Sequence, residues 1–218
     1  MRKPFEYPWH RLKPYRFYGF ARAVMGALLP LIYNFRVVGR EHLPQSARGT
    51  ILVCNHLHSI DPSFLIAATR LRWRFAAKKE LFGNRFVAFL FTHGNAFPID
   101  RGSLDRRALA FAASVMQDGR CGLAIFPEGQ RSLETGAPGA FKCGAAVLAR
   151  MTGADILPCA IYHEGKLRFR TKLTVRIGRV IPYAELGFGD VPGKEYNDRA
   201  CEKIQGAVEE LWEKKHSL

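Results

Sequence analysis

The sequence predicts an α/β fold, a layered single domain with a central mostly parallel or mixed sheet flanked by helices and preceded by an N-terminal amphipathic helical segment. Three observations point there. From residue 35 onward, short apolar runs of strand length alternate with longer segments of helical period. The chain has 218 residues, 48% of them hydrophobic, enough for one sizeable core. No internal repeat or low-complexity segment interrupts the alternation. The division that follows is a membrane-associating helical segment, 1–34, and a folded domain, 35–218.

Taken in order, 35–39 and 50–54 read as strands, the second an apolar run of strand length. Segment 63–69 is helical, 73–77 a short strand, 81–91 a helix, and 104–116 another helix with Ser103 as its candidate cap. Residues 123–126 return to strand, 140–151 to helix and 156–162 to strand. Segment 172–178 alternates with period two and suits a late, half-exposed strand. A polar, glycine-rich connection, 187–193, leads to an amphipathic closing helix at 197–215.

Three segments at strand ends carry chemistry. His56 stands five residues before Asp61, directly after the run 50–54. A neutral imidazole takes protons near pH 7, and a carboxylate on its other ring nitrogen fixes the tautomer and stabilises the imidazolium. Asp61 before Pro62 also reads as a helix cap followed by a first-turn proline, so the spacing is not decisive alone. The second segment, 125–132, places Glu128, Gly129 and Arg131 after the run 121–124. Ligands of open α/β sheets bind beyond the carboxyl ends of strands, where such a turn would emerge. An ordinary Pro-Gly turn with a surface ion pair is the competing reading. The third, 94–102, ends a short apolar stretch containing Pro98 with Arg101.

In this order the segments resemble the glycerolipid acyltransferase family, most closely its bacterial members acting on 1-acyl-sn-glycerol 3-phosphate. Residues 55–61 look like the family's first block, 94–101 its second, 126–132 its third and 156–160 its fourth. Segments 77–81 and 141–144 are similar to intervening family segments. The resemblance spans about residues 36–185, and four ordered blocks are far more specific than any one alone. It implies that 35–218 is an acyltransferase domain moving a fatty acyl group from a thioester to the sn-2 hydroxyl of lysophosphatidate, giving phosphatidate. His56 would be the general base and Asp61 its orienting partner, without an acyl-enzyme, because a thioester is already activated. Glu128, Gly129 and Arg131 would hold the glycerol phosphate, with Arg101 and Lys78 as further phosphate partners. No cofactor is expected, with acyl-CoA or acyl carrier protein thioester as co-substrate. Glycerol 3-phosphate, another lysophospholipid or an acylated amine lipid remain alternative acceptors, and a non-catalytic basic binding module is the rival from another class.

Composition fits such an enzyme. Lys+Arg 33 against Asp+Glu 19 gives a formal charge of +14, which favours anionic partners. No zinc-finger spacing, RNA-binding aromatic signature or basic heptad repeat occurs, so an anionic membrane surface is expected rather than nucleic acid. Walker, dinucleotide and Gly-x-Ser-x-Gly signatures are absent too. No metal site is expected, since His56 and His58 are two apart with no cysteine pair nearby. Cys54, Cys121, Cys143, Cys159 and Cys201 are odd in number and widely spaced, and read as reduced core residues of a cytosol-facing protein.

From Met1 to Arg22 the chain interleaves Phe5, Tyr7, Trp9, Tyr15, Phe17, Tyr18 and Phe20 with six cations, Arg22 included. Rings and snorkelling cations suit a headgroup boundary. The apolar run 23–33 is shorter than the roughly 20 residues of a spanning helix and contains Pro30. Peripheral or monotopic binding at the cytoplasmic face is the expectation, without a cleaved signal peptide.

Overall fold

The computed structural model describes residues 6–11, 16–100, 105–129, 137–189 and 193–217. Its elements are α1 (Arg16–Ile32), β1 (Asn34–Val38), β2 (Thr50–Cys54), α2 (Asp61–Thr69), β3 (Trp73–Lys78), α3 (Arg85–His93) and β4 (Ala96–Ile99). There follow α4 (Arg106–Asp118), β5 (Gly122–Ile125), α5 (Gly144–Thr152), β6 (Asp155–His163), β7 (Lys172–Ile177) and α6 (Lys194–Glu213). One sheet of seven strands runs in the order β1-β7-β6-β2-β5-β3-β4.

Strands β6, β2, β5, β3 and β4 are mutually parallel, so their carboxyl ends emerge along one edge. β7 is antiparallel to β6, and β1 parallel to β7, which makes the sheet mixed. A parallel sheet covered on both faces needs strands that are apolar throughout. In β2, Ile51, Leu52, Val53 and Cys54 are all fully buried. Helix α6 covers β6 and β2, with α5 against α6 and α4 against α5, while α1 packs on α2 and reaches α3.

Several elements differ from the sequence reading for local reasons. The helix expected over 81–91 splits into a 3-10 turn, Lys79–Phe82, and α3, because the Asn84 side chain accepts the Phe86 and Val87 N–H groups and starts a new helix. Asp105 caps α4 by accepting from Ala108 N–H, and Ser103 lies outside the described residues. The helix expected from residue 140 begins only at Gly144. β7 is buried over most of its length rather than half exposed. Its Arg176 donates to the carbonyls of Lys214, Lys215 and Ser217, and Thr174 meets His216 at 2.8 Å, so the chain end covers the strand's outer face. Pro98 is accommodated because β4 is the edge strand.

The N-terminal segment is tied into the same core. Tyr18, 2% exposed, donates to Leu71 O at 3.0 Å and accepts from Trp73 N–H at 3.2 Å. Burial pushes this hydroxyl above its ordinary pKa. The fully buried Arg74 donates to Tyr7 Oη and Arg11 O, and lies 5.3 Å from the Phe111 ring centre. Pro30 sits inside α1 rather than breaking it, one turn from the helix end.

β5 enters the sheet through Gly122, where a Cβ would stand 2.4 Å from the Trp73 ring and 2.6 Å from Ala47 O. Gly122→Ala should therefore destabilise the fold by about 1–3 kcal/mol. Calorimetry should show Tm falling by roughly 3–10 °C; an unchanged Tm would mean that β5 can shift away without cost.

Candidate active site

The site is built where β2 leaves the sheet. Asn55, fully buried, continues the β2–β6 ladder with its side chain, donating to Ile161 O at 3.0 Å and accepting from Ile161 N–H at 2.8 Å. That pairing fixes the point from which the next residues turn outward. His56 Nδ1 lies 2.9 Å from Asp61 Oδ2, and the same oxygen accepts from Leu57 N–H and His58 N–H at 2.7 Å each. Asp61 is thus the first residue of α2, but its side chain turns back into the loop instead of capping the helix.

The consequence for His56 is a defined tautomer. With Nδ1–H donating to the carboxylate, Nε2 carries the lone pair and makes no hydrogen bond among the described residues. The His56 side chain is 11% exposed, so the ring is held yet reachable. Phe126 stacks on it with ring centres 4.3 Å apart and planes 24° apart.

The third block meets this loop from β5. Glu128, 5% exposed, accepts the His56 backbone N–H through Oε1 at 2.8 Å. This carboxylate, expected at the substrate, also braces the His56 backbone. Gly129 adopts φ 71°, and a Cβ there would stand 3.1 Å from Lys142 Nζ, so the turn brings an exposed ammonium beside Gly129. Lys78 ends β3 on the same sheet edge, largely exposed and 3.9 Å from Glu80. Arg131 and Arg101 lie outside the described residues. The fourth block is the buried strand β6, which supplies the Asn55 anchor.

Cys54 does not compete as a nucleophile. It is fully buried, and burial, with Cys159 and then Asp61 and Glu128 nearby, pushes its thiol well above the ordinary value. The residues least visible in the sequence were Asn55, whose partner is 106 positions away, and Phe126, which is apolar like its neighbours.

Comparison with known proteins bears on this geometry. A model of the acyltransferase family matches residues 34–162, more than half of the chain. A 1-acyl-sn-glycerol-3-phosphate acyltransferase of Bacillus subtilis is 28% identical over 205 residues, covering 92% of this chain and 100% of that protein. One of Streptococcus pneumoniae is 27% identical over 200 residues, covering 88% and 70%. Among solved structures, the 1-acyl-sn-glycerophosphate (LPA) acyltransferase PlsC from Thermotoga maritima matches with a TM-score of 0.65 and 25% identity, over 89% of this chain and 77% of that one.

Asn55→Ala would leave the Ile161 N–H and C=O without partners, at about 1–3 kcal/mol for each buried group. Denaturant unfolding should show a lower midpoint with unchanged slope. Wild-type stability would show that the Asn55 amide is replaceable by water.

Proposed function

Because this chain belongs to the acyltransferase family, we propose that it transfers a fatty acyl group from an acyl thioester to the sn-2 hydroxyl of 1-acyl-sn-glycerol 3-phosphate, making phosphatidate. The observation that carries this reading is the His56–Asp61 pair, with Nδ1 held at 2.9 Å and Nε2 left open. Nε2 takes the hydroxyl proton as the oxygen attacks the thioester carbonyl. The tetrahedral intermediate then collapses, the C–S bond breaks, and the imidazolium returns its proton to the departing thiolate. The Asp61 charge stabilises the imidazolium between these two transfers. Nothing in the sequence requires an acyl-enzyme, since the donor is already activated. Glu128 keeps the His56 backbone in place, and Lys142 beside Gly129 and Lys78 at the end of β3 offer cations to the acceptor phosphate, with Arg131 and Arg101 as its further proposed partners.

The acceptor resides in a bilayer, and the surface offers a means of reaching it. No helix among the described residues is long and apolar enough to span a membrane. Yet α1 exposes Phe17, Phe20, Leu28 and Leu31 along one stripe, and α3 exposes Phe86, Phe89 and Leu90 along another. The two stripes are continuous through Phe17–His93 at 6.5 Å and Phe89–His93 at 3.9 Å between ring centres. The lipid-facing surface thus extends beyond the N-terminal segment to α3, with the formal charge of +14 attracting anionic headgroups. Five free cysteines fit the reducing, cytoplasmic side.

Three outcomes are expected. Purified protein incubated with lysolipids and acyl thioesters should release free thiol with lysophosphatidate, and His56→Ala should lower kcat by at least about 10²-fold with folding retained, Asp61→Asn comparably. Near-wild-type thiol release from His56→Ala would sink the mechanism. Arg131→Ala should raise the lysophosphatidate KM by roughly 10- to 100-fold, the equivalent of a charge-assisted hydrogen bond of about 1.5–3 kcal/mol. Equal damage with an unphosphorylated monoacylglycerol would make Arg131 a scaffold residue instead. Phe20→Ser combined with Phe86→Ser should weaken pelleting with anionic vesicles while leaving Tm within a few degrees, because both rings are exposed. Unchanged pelleting would place the lipid-facing surface elsewhere. Deleting 1–33 is a poorer test, since Tyr18 and Leu29 are each 2% exposed in the core.

A further inference from the structure

A cavity of about 660 Å³ opens on the flank of α1, between that helix, β1 and the end of α2. Four arginines, Arg22, Arg36, Arg40 and Arg70, converge on it. Among the described residues no carboxylate lies within 4.0 Å of any of these guanidinium groups. Arg22 instead donates to the Arg70 carbonyl at 2.6 Å, which holds the α1 and α2 sides together. Burial, then the charge of Arg70, lowers the pKa of Arg40, as expected where like charges gather without a counter-ion.

The rest of the cavity is apolar. Gly26 and Pro30 form one wall with Phe35 and Ala67 opposite. Arg22, Gly26 and Pro30 lie four residues apart and so share one flank of α1. That flank runs between the buried face, Tyr18 and Leu29, and the exposed stripe, Phe20 and Leu31. A helix resting on a bilayer through its outer stripe would open this cavity along the membrane surface.

The cavity is not the acceptor site. β1 runs antiparallel to β2, through its parallel pairing with β7 and β7's antiparallel pairing with β6. Arg40 follows β1, and Arg70 follows α2 just ahead of β3, so both sit at the sheet edge opposite His56. β1 is also three strand positions from β2, roughly 14 Å across the sheet.

We infer that this cavity binds a second, non-reacting lipid, an anionic glycerophospholipid whose phosphate sits among Arg36, Arg40 and Arg70 and whose acyl chain lies against Gly26 and Pro30. Guanidinium forks bind phosphate oxygens in pairs, and an apolar wall beside them favours a phosphate that carries a chain over inorganic phosphate. Such a lipid would retain the enzyme on anionic bilayer. The inference rests on the surface-docking reading for the source of the lipid.

The test is calorimetric titration of the full chain with monomeric dihexanoyl phosphatidylglycerol and, separately, with inorganic phosphate. Gly26→Leu fills the cavity, since a Cβ at Gly26 meets nothing within 4 Å. Arg36→Gln with Arg40→Gln removes the charge. Wild-type protein should bind the lipid at least about ten-fold more tightly than phosphate, Gly26→Leu should lose at least about ten-fold for the lipid alone, and the double variant should lose as much for both. Both variants should keep wild-type Tm and turnover of dispersed lysophosphatidate. Phosphate bound as tightly as lipid and insensitive to Gly26→Leu would reveal a free-phosphate site and overturn the lipid assignment. Lipid binding unchanged in both variants would overturn the site itself. Variant-sensitive lipid binding by a protein that pellets with no vesicle would uphold the site and reject surface docking.

Discussion

Asp61 Oδ2 accepts three hydrogen bonds, from the His56 ring and from the N–H groups of Leu57 and His58, while the residue is fully buried. An ionised carboxylate withdrawn from water is stable only when such donors replace its hydration. The loop 56–61 therefore wraps around the acid, and its shape, the imidazole tautomer and the direction of Nε2 all follow from one oxygen. Removing the charge would disturb the backbone of the loop as well as the base.

That loop is useful only because the sheet holds it against its partners. The parallel strands β2, β5, β3 and β4 deliver the first block, Glu128, Lys78 and Asp100 to one edge, although these lie far apart along the chain. Two side-chain-to-backbone contacts then lock the edge in register. Asn55 ties β2 to Ile161 on β6, and Glu128 ties the β5 turn to the His56 N–H. The proposed direct transfer would need alignment of two substrates more than new covalent chemistry, which makes rigidity in the first loop the relevant property.

The proposed docking on an anionic bilayer would draw on two different surfaces of the same chain. The stripe on α1 and α3 is apolar, and the cavity beside α1 is lined by four arginines without carboxylate partners among the described residues. Apolar burial is insensitive to salt, whereas the arginine contribution is screened within a Debye length. The helix can serve both because it buries only one face, through Tyr18 and Leu29, and leaves the rest outward.

Much of this was legible in the residues. Strand-length apolar runs located β2, β5 and β6, since a strand buried on both faces must be apolar throughout. The four ordered blocks identified the family. Local spacing could not distinguish the two readings of Asp61, because helix cap and histidine partner differ only in which N–H groups the loop folds around it. Nor could it show that Glu128 serves the His56 backbone, that Thr174 and Arg176 are buried by the chain end, or that α3 continues the apolar stripe of α1. Each depends on contacts between segments from about 40 to more than 70 residues apart, through β-sheet order and helix packing. Period and composition report how one segment divides between inside and outside; only the tertiary structure decides which distant segment makes the inside.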